Sequence, residues 1–145
     1  MASEFTIVRR VEFCDTDMAG IVHYANFFRY MEAAETAFFR SLGLCLVPKH
    51  VDPFTGWPRV HAECDFVQPL RFEDEVEVRL RVSEKKAKSL SYQFRFRKLN
   101  AHPPVEVARG GLTVVCVTHE HGRMRAAAIP REIAERIEVA AAEVQ

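Results

Sequence analysis

The chain has 145 residues, 48% of them hydrophobic, which suits one folded domain with a real core and excludes a disordered composition. Twenty basic and twenty acidic side chains give a formal net charge of zero, so the electrostatic footprint of a nucleic-acid binder is missing. No apolar run approaches the ~20 residues of a membrane span, and the start MASEFTIVRR lacks the charged end and apolar core of a signal peptide. Cys14, Cys45, Cys64 and Cys116 show no CxxC spacing and are read as reduced thiols of a cytoplasmic protein.

In chain order, residues 4–13 read as a first strand, with Phe5, Ile7, Val11 and Phe13 apolar. A polar turn follows: Asp15-Thr16-Asp17, then Ala19-Gly20, then His23-Tyr24-Ala25-Asn26. Residues 26–42 form a helical pattern. At 100° per residue Phe27, Met31, Ala34 and Phe38 share one line, with Tyr30, Ala37 and Leu42 beside it. The apolar arc is wider than a surface helix needs, so most of this helix is expected to be buried. Asn26 fits the N-cap and Gly43 the left-handed position past the end. Glu35 falls on the flank of the apolar arc. It is either paired at an interface or placed for a purpose, and the paired reading is favoured.

Residues 44–58, with Pro48, Pro53, Gly56 and Pro58, read as a long irregular connection. Trp57 at its end either walls a substrate pocket or packs in the core. Residues 59–66 alternate as a half-buried strand, with Val60, Ala62, Cys64 and Phe66 facing in. Residues 75–82 and 90–96 alternate likewise. Residues 105–117 are a long apolar strand in which Arg109-Gly110-Gly111 suggests a bulge. His119 to Gly122 reads as a hairpin turn before a short strand at 124–128. Pro130 opens a last helix whose sticky side is Ile133, Ile137 and Ala140. Arg95 and Arg97 are expected on the solvated face, paired with Glu75, Glu77 or Asp74.

This order, a strand, one long helix and about five hairpin-ordered strands, predicts an α+β architecture with a curved antiparallel sheet around one buried helix, in a single domain over residues 1–145. The turn before the helix has two readings. It is a capping turn, or it is an anion site where free N–H groups at the helix start meet a ligand approached closely at Gly20. No glycine-rich phosphate loop and no GxSxG elbow occur, and His119 and His121 lack a third ligand at metal-site spacing. Lys85, Lys86 and Lys88, in the turn between two strands, suit either phosphates or plain solvent.

The run D-T-D-M-A-G-I-V-H-Y-A-N-F-F-R-Y-M-E resembles the signature of hotdog-fold thioesterases of the 4-hydroxybenzoyl-CoA thioesterase type, and the likeness extends over nearly the whole chain. The resemblance implies a hotdog fold, acyl-CoA as substrate, no further cofactor, no metal, and a homodimer or homotetramer with sites between subunits. It assigns Asp17 as the catalytic carboxylate, nucleophile or general base, and the Tyr24 backbone N–H as polariser of the thioester carbonyl. It also places the nucleotide end of coenzyme A near Lys85, Lys86 and Lys88. One branch of the family carries Tyr then His where this chain has His23 then Tyr24. His23 therefore either touches substrate or is a packed ring. Two other readings stand beside hydrolysis: a hotdog that binds acyl-CoA without cleaving it, and a hotdog dehydratase or hydratase using a His and an acid. The acyl group is left open among aromatic, dihydroxynaphthoyl and aliphatic chains.

Overall fold

The computed structural model describes residues 1–47 and 54–143. At its centre lies the helix α1 (Ala25–Ser41), on which Phe27, Tyr30, Met31, Ala34, Phe38 and Phe39 are all buried. The 3.6-residue periodicity thus identified the inward face. Gly43 takes φ +72°, its N–H bonds Arg40 O at 3.0 Å, and Leu44 N–H bonds Phe39 O at 2.9 Å. That is a Schellman stop, as Gly43 suggested. The start differs from expectation. Tyr24 holds the N-cap position without a side-chain cap bond, and Asn26 lies inside the first turn. The His23 ring supplies the local acceptor instead, with Ala25 N–H 3.2 Å from Nδ1.

Five strands, β1 (Glu4–Arg10), β3 (Arg59–Phe66), β4 (Glu75–Lys85), β5 (Ser89–Lys98) and β6 (Val105–Val115), form an antiparallel sheet in the order β1-β4-β5-β6-β3. Val76, Val78, Leu80 and Val82 on β4, and Leu90, Tyr92, Phe94 and Phe96 on β5, are fully buried in the core that also takes in α1. This is the hotdog arrangement, one helix wrapped by one antiparallel sheet. The first strand is shorter than the apolar pattern suggested. Beyond Arg10, Val11 N–H bonds Asp74 O at 2.8 Å, and Phe13–Asp15 forms a 3-10 turn whose Phe13 ring is exposed.

Three strand expectations need correction. The Arg109-Gly110-Gly111 segment pairs in register with both neighbours and is not a bulge. Glycine is needed there for proximity, since a Cβ on Gly110 would sit 2.0 Å from Met31 Cε. The extra residue is Val107, between the pairs Phe96↔Ala108 and Arg97↔Glu106, and its carbonyl accepts from Val67 and Gln68 N–H at 2.8 and 3.1 Å. Second, β3 is not half-buried. It is the edge strand, and Val60 and Phe66 are 61% and 51% exposed. Alternation marks an apolar face, but among the described residues only Cys64 of it packs partly buried against the core, and Phe66 meets Phe27 while staying half exposed. Third, Arg97 does meet Glu77 at 2.8 Å, whereas Arg95 pairs with Glu143 at 2.7 Å, because its cross-strand neighbours are Arg79 and Arg109.

Part of the connection expected to be irregular is a strand. β2 (Phe54–Gly56) pairs with β7 (Val117–Glu120), which pairs with β8 (Arg123–Ala126) in a second, three-stranded sheet. Pro48 and Pro53 lie outside the described residues. The β7–β8 turn runs through His121 and Gly122, both at positive φ. α2 (Arg131–Ala134) is a single turn behind Pro130, with Ile133 and Ile137 buried. Among the described residues no helix is long and apolar enough to cross a membrane.

Glu35 has no exposed surface. The guanidinium of Arg59, at the start of β3, donates to both of its carboxylate oxygens, and Arg59 Nη1 also reaches Trp57 O at 3.0 Å. Glu35 is therefore paired, as favoured. Burial pushes its carboxyl above the ordinary carboxylate range, and Arg59 pulls it only part of the way back. A raised native pKa means that the folded state takes up the proton more readily than the unfolded state. This group's contribution to stability then falls as pH rises through the native pKa. Arg59→Met should cost about 3 kcal/mol by leaving a buried carboxylate unpaired. The loss should be larger at pH 8 than at pH 5, where Glu35 can protonate. Urea unfolding at both pH values checks this, and equal losses would contradict it.

Candidate active site

The polar turn folds as a small hairpin. Thr16 and Val22 form an antiparallel bridge, Asp17 N–H bonds Ile21 O at 2.9 Å, and Gly20 N–H bonds Asp17 O at 3.0 Å. Gly20 has φ +78°, and a Cβ there would meet nothing within 4 Å. The backbone conformation therefore favours glycine here, and no side chain or backbone of the described residues fills the space beside it. Asp17 is exposed. Its Oδ1 accepts Ala19 N–H at 2.8 Å, and Oδ2 has no partner among the described residues.

At the start of α1 the donors are nearly all used. His23 N–H bonds Asp15 O at 2.9 Å, Ala25 N–H bonds His23 Nδ1 at 3.2 Å, Asn26 N–H bonds His23 O at 2.9 Å, and Phe27 N–H bonds Tyr24 O at 3.2 Å. Tyr24 N–H alone in this run has no acceptor among the described residues. It sits at the positive end of a 17-residue helix. Asp17 and Tyr24 line the same cleft, about 420 Å³, whose apolar wall includes Ile21, Phe27, Phe66 and Leu70. An unpartnered N–H, a carboxylate with one free oxygen and an apolar wall can polarise a carbonyl, deliver or activate a nucleophile, and seat an apolar acyl group.

Among the cleft residues that escaped the sequence reading are Phe66, which looked like a core residue, and Gln68, the polar group beside it. Both lie at or just past the end of β3, where Leu70 O accepts Val22 N–H at 2.8 Å.

The remaining predicted residues are not gathered at this cleft. The His23 ring is exposed, stacks on Tyr24 at 4.5 Å, and serves as a helix-start acceptor rather than a packed core ring. Trp57 is buried, edge-on to Phe39 at 5.7 Å in the second half of α1. It packs in the core and also borders a second cleft of about 500 Å³, with Glu32, Thr36 and Arg59, apart from the one that holds Asp17. Lys85 Nζ donates to Ala134 O at 2.6 Å and Ile137 O at 2.8 Å, which ties it to the segment at and after α2 with two of its three donors. Lys86 and Lys88 are exposed, with Lys86 3.3 Å from Glu84. This lysine turn lies beyond the far end of α1, since Arg136 of the same terminal segment donates to Leu42 O at 2.8 Å. The structure therefore separates the lysines from Asp17 by roughly the 25 Å length of the helix. His119 and His121 do not converge either: His119 is stacked flat on Phe54 at 4.6 Å, and His121 is exposed at the hairpin tip.

Gly20→Ala should lower stability by about 1–2 kcal/mol, the usual cost of a left-handed residue with a side chain. A melting curve checks it. A loss well beyond that range would mean a steric clash that the open space around Gly20 does not provide.

Comparison with known proteins adds to this geometry. The family described as the Thioesterase-like superfamily matches residues 11–137. A protein of Aquifex aeolicus that carries a provisional esterase name is 41% identical over 76 residues, 52% of this chain and 59% of that protein. The 1,4-dihydroxy-2-naphthoyl-CoA hydrolase of Nostoc punctiforme is 33% identical over 76 residues, 52% of this chain and 51% of that protein. The chain thus spans between half and two thirds of the length of these curated relatives. The solved 4-hydroxybenzoyl-CoA thioesterase of Pseudomonas sp. strain CBS-3 superposes with a TM-score of 0.79 at 26% identity, over 92% of this chain and 99% of that one.

Proposed function

Since this chain belongs to the Thioesterase-like superfamily, we propose that it hydrolyses an acyl-CoA thioester to the free acid and coenzyme A, as one hotdog thioesterase domain over residues 1–145. The observation that carries the proposal is that Tyr24, whose N–H has no acceptor among the described residues, lines the same cleft as Asp17. The thioester carbonyl oxygen accepts from that N–H, and the helix start stabilises the negative charge that grows on it. Asp17 either attacks the carbonyl carbon, expelling the CoA thiolate and leaving a mixed anhydride for water to open, or removes a proton from the attacking water. The apolar wall of Phe27, Phe66 and Leu70 favours an aromatic or medium-length acyl group, in keeping with the aromatic acyl-CoA substrates named for the Nostoc and Pseudomonas relatives. A dehydratase route finds little support, because it needs a His paired with an acid and His23 is engaged with a backbone N–H.

The working unit is read as a homo-oligomer. β3 has an unpaired edge, with Val60, Phe66 and Val67 exposed along or just past it, and Phe66 also walls the cleft. A second copy seated there would bury apolar surface and close the site together. Lys86 and Lys88 are read as holding the phosphates of coenzyme A, on the same copy or on its partner. The four cysteines are free thiols, which suits a reducing compartment such as the cytoplasm.

Thiol release from a panel of aromatic, short and long acyl-CoAs tests the reading. Asp17→Asn should lower kcat by a factor of about 10² or more, within the range of general-base or nucleophile loss, while Asp15→Asn should act mainly on folding or binding. Comparable kinetics for the two variants would move the catalytic role away from Asp17. Absence of release with CoA binding intact would favour a binding module. Lys86→Ala combined with Lys88→Ala should raise KM for acyl-CoA and leave an N-acetylcysteamine thioester, which has no phosphate, unaffected. An equal effect on both substrates would remove the lysines from the site.

A further inference from the structure

Asp15, two residues ahead of Asp17, is the knot of the turn. Its Oδ2 accepts from Tyr30 OH at 3.0 Å and from Glu12 N–H at 2.9 Å. Its carbonyl oxygen accepts from His23 N–H at 2.9 Å and from Asn26 Nδ2 at 2.7 Å. One residue therefore holds both necks of the hairpin that carries Asp17, next to the residue whose N–H lines the cleft, and ties them to α1. Tyr30 is the fixed post behind it. Its side chain is 2% exposed, its ring meets Phe27 edge-on at 6.1 Å, and the Arg9 guanidinium lies over it at 5.7 Å. Burial, with the Asp15 carboxylate next to it, raises the Tyr30 hydroxyl well above its ordinary value, so it stays protonated and remains a donor.

We infer that Tyr30 is a positioning residue for the Asp17–Tyr24 pair, acting through Asp15. The inference rests on the proposed roles of Asp17 and Tyr24 for its kinetic consequence, though not for the anchoring itself. Removing the hydroxyl leaves the Asp15 carboxylate with Glu12 N–H as its one remaining donor among the described residues, and of the two ties from Asp15 to α1 only the Asn26 Nδ2 bond to its carbonyl is left, so the hairpin is held less firmly against the helix. Displacement by about 1 Å is enough to cost on the order of a hundredfold in rate. A Tyr30 that only fills the core would behave differently, because Phe keeps the ring.

The test compares wild type, Tyr30→Phe and Asp15→Asn by amide hydrogen exchange, thiol release and melting. Tyr30→Phe should speed exchange across residues 16–24 while β4 and β5 keep their protection. It should also lower kcat by about tenfold to a hundredfold, with KM within about twofold. Asp15→Asn retains an acceptor for the Tyr30 hydroxyl, so its exchange at 16–24 should fall between that of Tyr30→Phe and wild type. Exchange is scored only on protein in which β4 and β5 keep their protection, so a less stable variant is read on its folded fraction. Unchanged exchange at 16–24 overturns the inference, whatever happens to kcat or the melting temperature. If wild type cleaves no acyl-CoA, faster exchange at 16–24 in Tyr30→Phe upholds the anchoring, and the thioesterase reading falls by itself.

Discussion

The helix α1 carries more apolar surface than a flat sheet can cover, and the rest of the fold answers that demand. Phe27, Tyr30, Met31, Ala34, Phe38 and Phe39 are buried, so the sheet must bend around the helix. It does so with extra residues at Val60, Ser83 and Val107, each where the pairing register shifts. Gly110 removes a side chain where Met31 comes closest. Glu35 is fully buried on α1, and Arg59 arrives from β3 to meet it. The start of the edge strand is thereby fixed against the middle of the helix.

The same constraint sets the chemistry. A helix held rigidly along its length presents its N-terminus at a fixed place, and the 16–22 hairpin is tied there through Asp15. The local bonds consume every donor from His23 to Phe27 except that of Tyr24. One N–H therefore remains for a ligand, in the direction where the helix dipole favours negative charge. The cleft that Tyr24 lines is completed by the end of β3, an edge strand among the described residues. On the proposed reading, catalysis and self-association draw on this one region, where Val60, Phe66 and Val67 are exposed.

The sites that sequence reasoning placed correctly and those it did not differ in what they depend on. Phe27, Met31, Ala34 and Phe38 were legible because helix periodicity alone decides which face is apolar. Glu35 was legible because a carboxylate on that flank needs a partner, although the identity of Arg59 was not. Asn26 was misread as a cap because residue type gives a preference, while the actual cap depends on where the His23 ring and the Asp15 carbonyl lie. Lys85 looked like its neighbours, and only the return of the last turn beneath it made it structural. Gly110 and Gly111 suggested a bulge because glycine serves both bulges and close approaches, which composition cannot separate.

Sequence by itself determined the long helix and the strands of the five-stranded sheet, their order, the buried side of the helix and of β4 and β5, and the motif that carries Asp17 and Tyr24. These follow from local periodicity and from residue types at short spacing. Only the tertiary structure decided which N–H was left free, which apolar strand face stayed uncovered, and that the lysine turn lies a helix length from Asp17. Those facts depend on contacts between residues far apart in the chain, and no short-range pattern encodes how distant segments meet.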